Sequence, residues 1–402
     1  MDKCLWDPVQ VITWLGIVWD GVQGVVSITE PRLKKCLVHI DKVLSDPNVS
    51  ARDLASLVGK IISMSAVLGN LSSIMTKLCQ MSVAAAQDWD TSSPLDRYCI
   101  VELEFWKDSL RRLNSRDLFS CNPPFISVYS DASDVACGGH ILGKDVCAHR
   151  MFTNAERTQS STYRELAAIL FVLNSLRPFL SSSRVKWFTD NQGAARIVQV
   201  GSMHFDLHLL TSDIFSFCYN YGINLEINWV PRSLNDKADY LSKIVDFDDW
   251  EVVSEIFQFL DSRWRPHTVD CFATFYNFKV PRFFSRFWNP GSSGVDAFFQ
   301  TWQGENCWVV PPVVLLSKVL RFMSLSRAQG TLVLPYWPSA PFWPLLVRDF
   351  WEFVIDYQFF CRCLVCPPRA QQQFPVRVPH VVWSYHCSET CFSIVFPVMA
   401  FF

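Results

Sequence analysis

The spacing of hydrophobic and polar positions changes several times along the chain, and each change predicts a different kind of element. Between residues 11 and 29 the apolar runs VITWLGIVW and VVSIT flank the polar turn DGVQG, which predicts a small hairpin of short strands. Pro31 opens a stretch in which Leu33, Leu37, Val38 and Ile40 recur at helical spacing. Ser50 stands as an N-cap before the amphipathic run ARDLASLVGKIISMSAVLG. A third helical pattern covers 95–113, and the region ends in the turn-rich CNPP of 121–124.

From residue 125 the period shortens. FISVYSD, GGHILG and AHRMFT read as three strands, and TYRELAAILFVLNSLRPFL as a strong helix that stops near Pro178. VKWFTD is a strand, NQGAARIVQV and DLHLLTSDIFSFCYNYG are helices, LEINWVP is a strand and NDKADYLSKI a closing helix. This order predicts an α/β domain over 121–245, built on a mixed five-stranded sheet with flanking helices. DFDDWEVVSEIFQFLDSRW, at 246–264, reads as an acidic, aromatic linking helix. Residues 265–347, dense in Trp, Phe and Pro, alternate strand-like and helix-like pieces and predict a second α/β unit. The pattern then degrades, and 348–402 receives no fold.

Composition narrows the classes. Lys and Arg number 36 against 38 Asp and Glu, a formal net charge of −2 over 402 residues. No strongly basic field marks the chain, and 121–245 holds 11 acids and 11 bases. A polynucleotide site there would rely on metal charge and on neighbouring segments. The 15 cysteines stand mostly alone inside apolar stretches, as at Cys36, Cys79, Cys137 and Cys218. The opening MDKCLWDPVQ is charged and interrupted by Pro8, unlike a secretory signal. An intracellular protein, cytoplasmic or nuclear, with reduced thiols is expected. No apolar run reaches the roughly 20 residues of a membrane span, and CFSIVFPVMAFF at 391–402 is too short. No membrane partner is expected.

The candidate chemistry lies in four carboxylates. Asp131 closes the strand ISVYSD, where desolvating an unpaired charge would cost several kcal/mol. Taken singly, it suits a strand-to-turn junction. Glu165 fits a capping box with Thr162, Asp190 fits an N-cap that Asn191 would serve equally, and Asp239 fits a solvated helix face. Together they read differently. Two strands each end in a carboxylate and two helices each offer one more, which places all four toward one edge of a sheet. Such a group repels itself unless cations intervene. Hard oxygen donors select Mg²⁺ or Mn²⁺, and two such ions would activate water and stabilise the leaving oxygen of a phosphodiester displacement.

The order SDAS, YRELAAI, TDN, NDKADYLS resembles the type-I ribonuclease H domain carried by reverse transcriptases of retroelements, over about 125–243. The resemblance implies that Asp131, Glu165, Asp190 and Asp239 are the catalytic residues and metal ligands for two Mg²⁺ (or Mn²⁺) ions. Asp131 and Asp190 would bind both ions, Glu165 would hold one and orient the attacking water, and Asp239 would ligate the other side. The implied substrate is an RNA–DNA hybrid, read through 2′-hydroxyls across the minor groove. Asn191 and Gln192 would contact it, with Asp134 and Asp236 peripheral or solvated. Many retroviral members carry a histidine shortly before the last Asp; WVPRSLNDKAD has none, a departure that touches product release or metal handling.

ITWLGIVWDGVQGVVSITEPRLKK resembles the segment after the palm of a reverse transcriptase, so 1–120 reads as a truncated thumb- and connection-like region. The polymerase motif, an aromatic-x-Asp-Asp, belongs upstream of that point. FDDW at 247–250 reads as a solvated linker, and no DNA polymerisation is expected. Residues 265–347 resemble a region downstream of ribonuclease H in DIRS-like, tyrosine-recombinase retrotransposons. They are also similar to phage-type adenine-methylating DNA methyltransferases through VDCFAT, DAFFQTW and VVPPV. That family's motif runs Asp or Asn, Pro, Pro, aromatic; here it reads Val310, Pro311, Pro312, Val313, so the unit is degenerate and no methylation is expected. In the tail, Cys363 and Cys366 with Cys387 and Cys391, near Cys361, His380 and His386, approach zinc-ribbon spacing without its turn chemistry. The whole reads as a polyprotein fragment of a DIRS-like retroelement whose activity is endonucleolytic hydrolysis of RNA–DNA hybrid. The alternative is a non-catalytic, nucleic-acid-binding remnant of a decayed element.

Overall fold

A computed structural model describes residues 7–118, 125–245, 251–264, 266–335 and 337–350, with further strand segments at 364–365 and 394–398. The CNPP turn, FDDW and the cysteines and histidines of the tail lie outside the described residues. By contact density the chain forms two compact units, 1–126 with 182–229 and 127–181 with 230–402.

The N-terminal hairpin is a three-stranded antiparallel meander: β1 (Val11–Trp14), β2 (Ile17–Asp20) and β3 (Val25–Ile28). The run VITWLGIVW folds back on itself at Leu15 and Gly16, whose φ angles of 49° and 72° make the two-residue turn that suits twisted strands. Helix α1 (Glu30–Ser45) carries Pro31 in its first turn and buries Leu33, Cys36, Ile40 and Val43. Val38, expected to face inward, is exposed; five positions after Leu33, it lies about 140° round the helix. Helix α2 (Ala51–Ile62) is capped by Ser50, whose Oγ accepts from the Asp53 amide at 3.2 Å. The expected continuation to residue 69 breaks into two short turns, Ser65–Leu68 and Leu71–Ile74.

Helix α3 (Lys77–Ala85) has no counterpart in the sequence pattern. Thr76, at its N-cap, makes no side-chain cap bond. Its first-turn amides of Leu78 and Cys79 donate instead to the buried carboxylate of Glu102, at 3.0 and 2.9 Å. Glu102 belongs to α4 (Arg97–Ser109), so the cap comes from a distant part of the chain.

The central element is the mixed five-stranded sheet that the pattern predicts. Its strands are β4 (Ile126–Ala132), β5 (Ala136–Ile141), β6 (Cys147–Met151), β7 (Arg184–Thr189) and β8 (Asn224–Trp229), in the order β8-β7-β4-β5-β6. β4, β5 and β6 pair antiparallel, and β7 and β8 pair parallel. Four helices follow the expected order: α5 (Ser161–Ser175), α6 (Gln192–Val200), α7 (Phe205–Asn220) and α8 (Asp236–Ser242).

Two adjacent glycines of β5 set how closely helices approach this sheet. A Cβ on Gly138 would lie 2.5 Å from Leu241 Cβ, and one on Gly139 would lie 2.8 Å from Val172 Cγ2. Leu241 is on α8 and Val172 on α5, so both helices rest on backbone where a side chain would hold them off. α8 is pinned to the β4 region at both ends: Asn235 Nδ2 donates to Ser130 O at 3.1 Å, and Ser133 Oγ donates to Ser242 O at 2.6 Å. Before α5, Thr153 and Glu156 form a capping box, and the Arg150 guanidinium grips Glu156 at 2.8 and 2.6 Å.

Downstream, Glu251–Val252 forms a short strand where a helix was expected, and the linking helix narrows to α9 (Ser254–Arg263). A second sheet holds β9 (Val269–Asp270), β10 (Asn306–Val309), β11 (Gln329–Leu334) and β12 (Ile394–Val398) in that order. The first three are parallel, and α10 (Leu316–Ser326) crosses from β10 to β11. Trp302, Leu316, Val319 and Leu332 are fully buried in its core. Trp288 of this region lies along the open edge of β6, donating its amide to Cys147 O at 2.9 Å. No helix among the described residues is long and apolar enough to cross a membrane.

These contacts make stability measurable at two points. Gly138→Ala should lower the unfolding free energy by about 1–3 kcal/mol, because Leu241 cannot retreat without moving α8; urea denaturation measures it. Burial pushes the Glu156 carboxyl up, but Arg150 and Thr153 outweigh it and hold the group down at about 2, from 4.5. A depressed carboxyl stabilises the fold above its unfolded value and loses that contribution as pH falls through its folded value. Glu156→Gln should therefore cost about 2–3 kcal/mol at neutral pH and flatten the acid limb of the stability curve between pH 4.5 and 2.

Candidate metal centre

Three of the four predicted carboxylates meet. Asp131, Glu165 and Asp190 each offer an oxygen, and these oxygens all lie within 4.8 Å of one another. Asp131 is the penultimate residue of β4, Asp190 follows the last residue of β7, and Glu165 sits in the second turn of α5. Asp131 and Glu165 are buried, with 4 and 5 % of their surfaces exposed, and Asp190 is half-buried.

The local explanations for these acids are taken up by other residues. The N-cap of α5 is Ser160, whose Oγ accepts from the Tyr163 amide at 3.2 Å, so Glu165 is not part of a capping box with Thr162. The N-cap of α6 is Asn191, whose Oδ1 accepts from the Ala194 amide at 2.9 Å, which relieves Asp190 of that role. Gln192, the other expected substrate contact, is exposed in the first turn of α6.

Asp239 stands outside the three-carboxylate group. It is on α8, paired with Lys243 Nζ at 2.5 Å and with Arg232 Nε at 3.0 Å. The hydrogen bond from Lys243, joined by Arg232, holds its carboxyl below the usual carboxylate range. Asp134 is exposed and bonded to Arg164 at 2.5 Å, and Asp236 is an exposed first-turn residue of α8.

Two contacts at this site have no counterpart in the sequence pattern. Ser242 Oγ donates to Asp131 Oδ2 at 2.5 Å. Trp229 Nε1 donates to the main-chain oxygen of Asp190 at 2.9 Å, while 47 % of Trp229 remains exposed. Ser242 did leave a sequence signal, as a small polar residue beside Ala238 and Leu241 on the apolar face of a short helix.

The donor set is all carboxylate oxygen, which fits a hard divalent cation such as Mg²⁺ or Mn²⁺ better than a thiophilic metal. Elsewhere, a cavity of about 350 Å³ opens at the second sheet, lined by Phe272, Phe298, Val310, Pro312 and Lys318 among others.

Residues 123–205 match the model of the RNase H-like domain found in reverse transcriptase. No curated protein matches the chain. Among solved structures, RNase H1 from the halophilic archaeon Halobacterium salinarum NRC-1 aligns at 18 % identity, over 29 % of this chain and 94 % of that one, with a TM-score of 0.26. LC11-RNase H1 in complex with RNA/DNA hybrid aligns at 18 % identity over 29 % of this chain and 92 % of its own, TM-score 0.26. The foamy viral protease-reverse transcriptase in complex with RNA/DNA hybrid aligns at 14 % identity over 59 % of this chain and 31 % of that one, TM-score 0.24.

Clustered carboxylates destabilise the metal-free protein and gain from a cation. Asp190→Asn should therefore raise the melting temperature in EDTA. Mg²⁺ or Mn²⁺ in the millimolar range should raise that of the unmodified chain but not of Asp190→Asn, as read by differential scanning calorimetry.

Proposed function

We propose that the chain is an RNA–DNA hybrid ribonuclease that hydrolyses the RNA strand endonucleolytically with divalent metal. The observation that carries this reading is the convergence of Asp131, Glu165 and Asp190, with the capping roles open to Glu165 and Asp190 filled by Ser160 and Asn191. The family matched at 123–205 agrees with it.

In this reading Asp131 and Asp190, at the ends of neighbouring strands, would hold two Mg²⁺ or Mn²⁺ ions, and Glu165 would help to hold one of them. Bound there, the ions would supply activation of a water and charge neutralisation at the leaving oxygen. The chain's own groups do the rest. Glu165, on its rigid helix, accepts a hydrogen bond from the attacking water and so orients it. Exposed Arg232 and Lys243 offer positive charge to backbone phosphates. Asp239 is the fourth carboxylate, and reaching an ion would require it to give up those same two cations. Gln192, exposed two residues after Asp190, would touch the substrate, whereas the Asn191 side chain is committed to its cap.

On the same resemblance, 1–120 is the thumb- and connection-like part of a DIRS-like retroelement polyprotein, and 265–347 is the degenerate methyltransferase-like part. The competing reading is a nucleic-acid-binding remnant that retains the fold without the reaction.

The test is cleavage of an end-labelled RNA–DNA hybrid by the purified full chain. Cleavage of the RNA strand should require Mg²⁺ or Mn²⁺, stop in EDTA, and fall by at least about a hundredfold in Asp131→Asn, Glu165→Gln and Asp190→Asn. A smaller loss in Asp239→Asn would fit its ion-paired position. A folded chain that binds hybrid without cutting it would leave the remnant reading in its place.

A further inference from the structure

We propose that Ser242 is a positioning residue for the metal centre, fixing the carboxylate of Asp131 through its hydroxyl. The inference rests on the metal-dependent reading of the site and adds to it how α8 reaches the centre.

Ser242 is fully buried at the C-terminal end of α8. Its hydroxyl carries one proton and has two acceptors in reach: Asp131 Oδ2 at 2.5 Å and the main-chain oxygen of Asp239 at 2.9 Å. A serine near a helix end commonly bonds back to its own helix. Here the ionised carboxylate is the stronger acceptor and the closer one, so the proton belongs to Asp131. The two residues are 111 positions apart in sequence, so this bond joins separate elements.

The hydroxyl is held by rigid neighbours. Ser242 O accepts from Ser133 Oγ at 2.6 Å, Asn235 ties the other end of α8 to Ser130 O at 3.1 Å, and Leu241 rests against Gly138. A donor fixed in this way selects one rotamer of Asp131. A carboxylate has about four lone-pair directions, so accepting the bond leaves capacity for a cation. α8 therefore acts on Asp131 through a neutral hydroxyl, while its own carboxylate, Asp239, is engaged by Arg232 and Lys243. Groups that orient a metal ligand typically change metal affinity by 10–100-fold when removed (~1–3 kcal/mol).

The experiment is titration of the full chain with Mn²⁺ alone, followed by calorimetry, for the unmodified chain, Ser242→Ala, Ser242→Thr and Ser133→Ala. Ser242→Ala should bind Mn²⁺ about tenfold more weakly while keeping its circular dichroism spectrum. Ser242→Thr, which keeps the hydroxyl, should restore binding. Ser133→Ala removes one tether of α8 and leaves the Ser242 hydroxyl in place, so it should weaken Mn²⁺ binding by clearly less than Ser242→Ala. In cleavage assays the Mg²⁺ concentration for half-maximal rate should rise in Ser242→Ala with KM for hybrid unchanged. Equal Mn²⁺ affinity in Ser242→Ala and the unmodified chain overturns the proposal and leaves the metal reading standing. Equal weakening by Ser133→Ala also overturns it, since the hydroxyl would then act only by docking the helix. An unmodified chain that binds no Mn²⁺ overturns the metal reading and this inference together.

Discussion

Three carboxylates held within 4.8 Å of one another repel, each pair by on the order of a few kcal/mol at a protein-like dielectric, and the surrounding fold has to withstand that force. It does so by fixing the elements that carry the acids. Asp131 ends a strand whose neighbour, β5, is bare at Gly138 and Gly139. The bare backbone admits α8 on one glycine and α5 on the other, and α5 carries Glu165. Behind Glu165, α5 presents Leu166, Ile169, Val172 and Leu173, all fully buried, so the helix cannot roll to move its carboxylate away. Gly139 thus sets how near Glu165 comes to Asp131, and Gly138 how near Ser242 of α8 comes to it.

The downstream region contributes packing to the same sheet. β6 is its last strand, and an exposed edge of that length invites pairing with other chains. Trp288 covers it: its amide bonds Cys147 O, and its ring meets Phe179 edge-on at 5.0 Å. Phe275 packs on Phe171 of α5 at 5.8 Å between ring centres, and Phe287 lies against His149 at 5.2 Å. The aromatic richness of 265–347 is therefore largely spent on cores and edges. Trp302 and Trp308 are 1 % exposed, which leaves neither free to stack on a base. This arrangement gives the downstream residues a physical role that does not depend on any chemistry at Val310 or Val313.

The parts of the fold that were legible in the sequence are those whose cause is local. Strand ends at Asp131 and Asp190, the Pro31 helix start and the Ser50 cap each depend on a few neighbouring residues, and the structure reproduces them. The parts that escaped depend on distant partners. Helix α3 has weak local signals because its cap is the Glu102 carboxylate, more than twenty residues further on. The break after Ile62 has the same character: ARDLASLVGKIISMSAVLG is periodic throughout, yet Arg32 donates to both Ser63 O and Ser63 Oγ, at 3.1 and 2.7 Å, at the point where the helix stops. At the site, Ser242 follows this distinction, with a partner 111 positions away, whereas Asp239 departs from it, being paired with residues four and seven positions away. Spacing alone places Asp239 with the other acids, but Arg232 and Lys243 are nearer and oppositely charged, so pairing with them lowers its energy more than joining three anions would. Ser242, three residues on, reaches Asp131 because a neutral hydroxyl can approach a buried carboxylate without adding to the repulsion, and can donate to it as well.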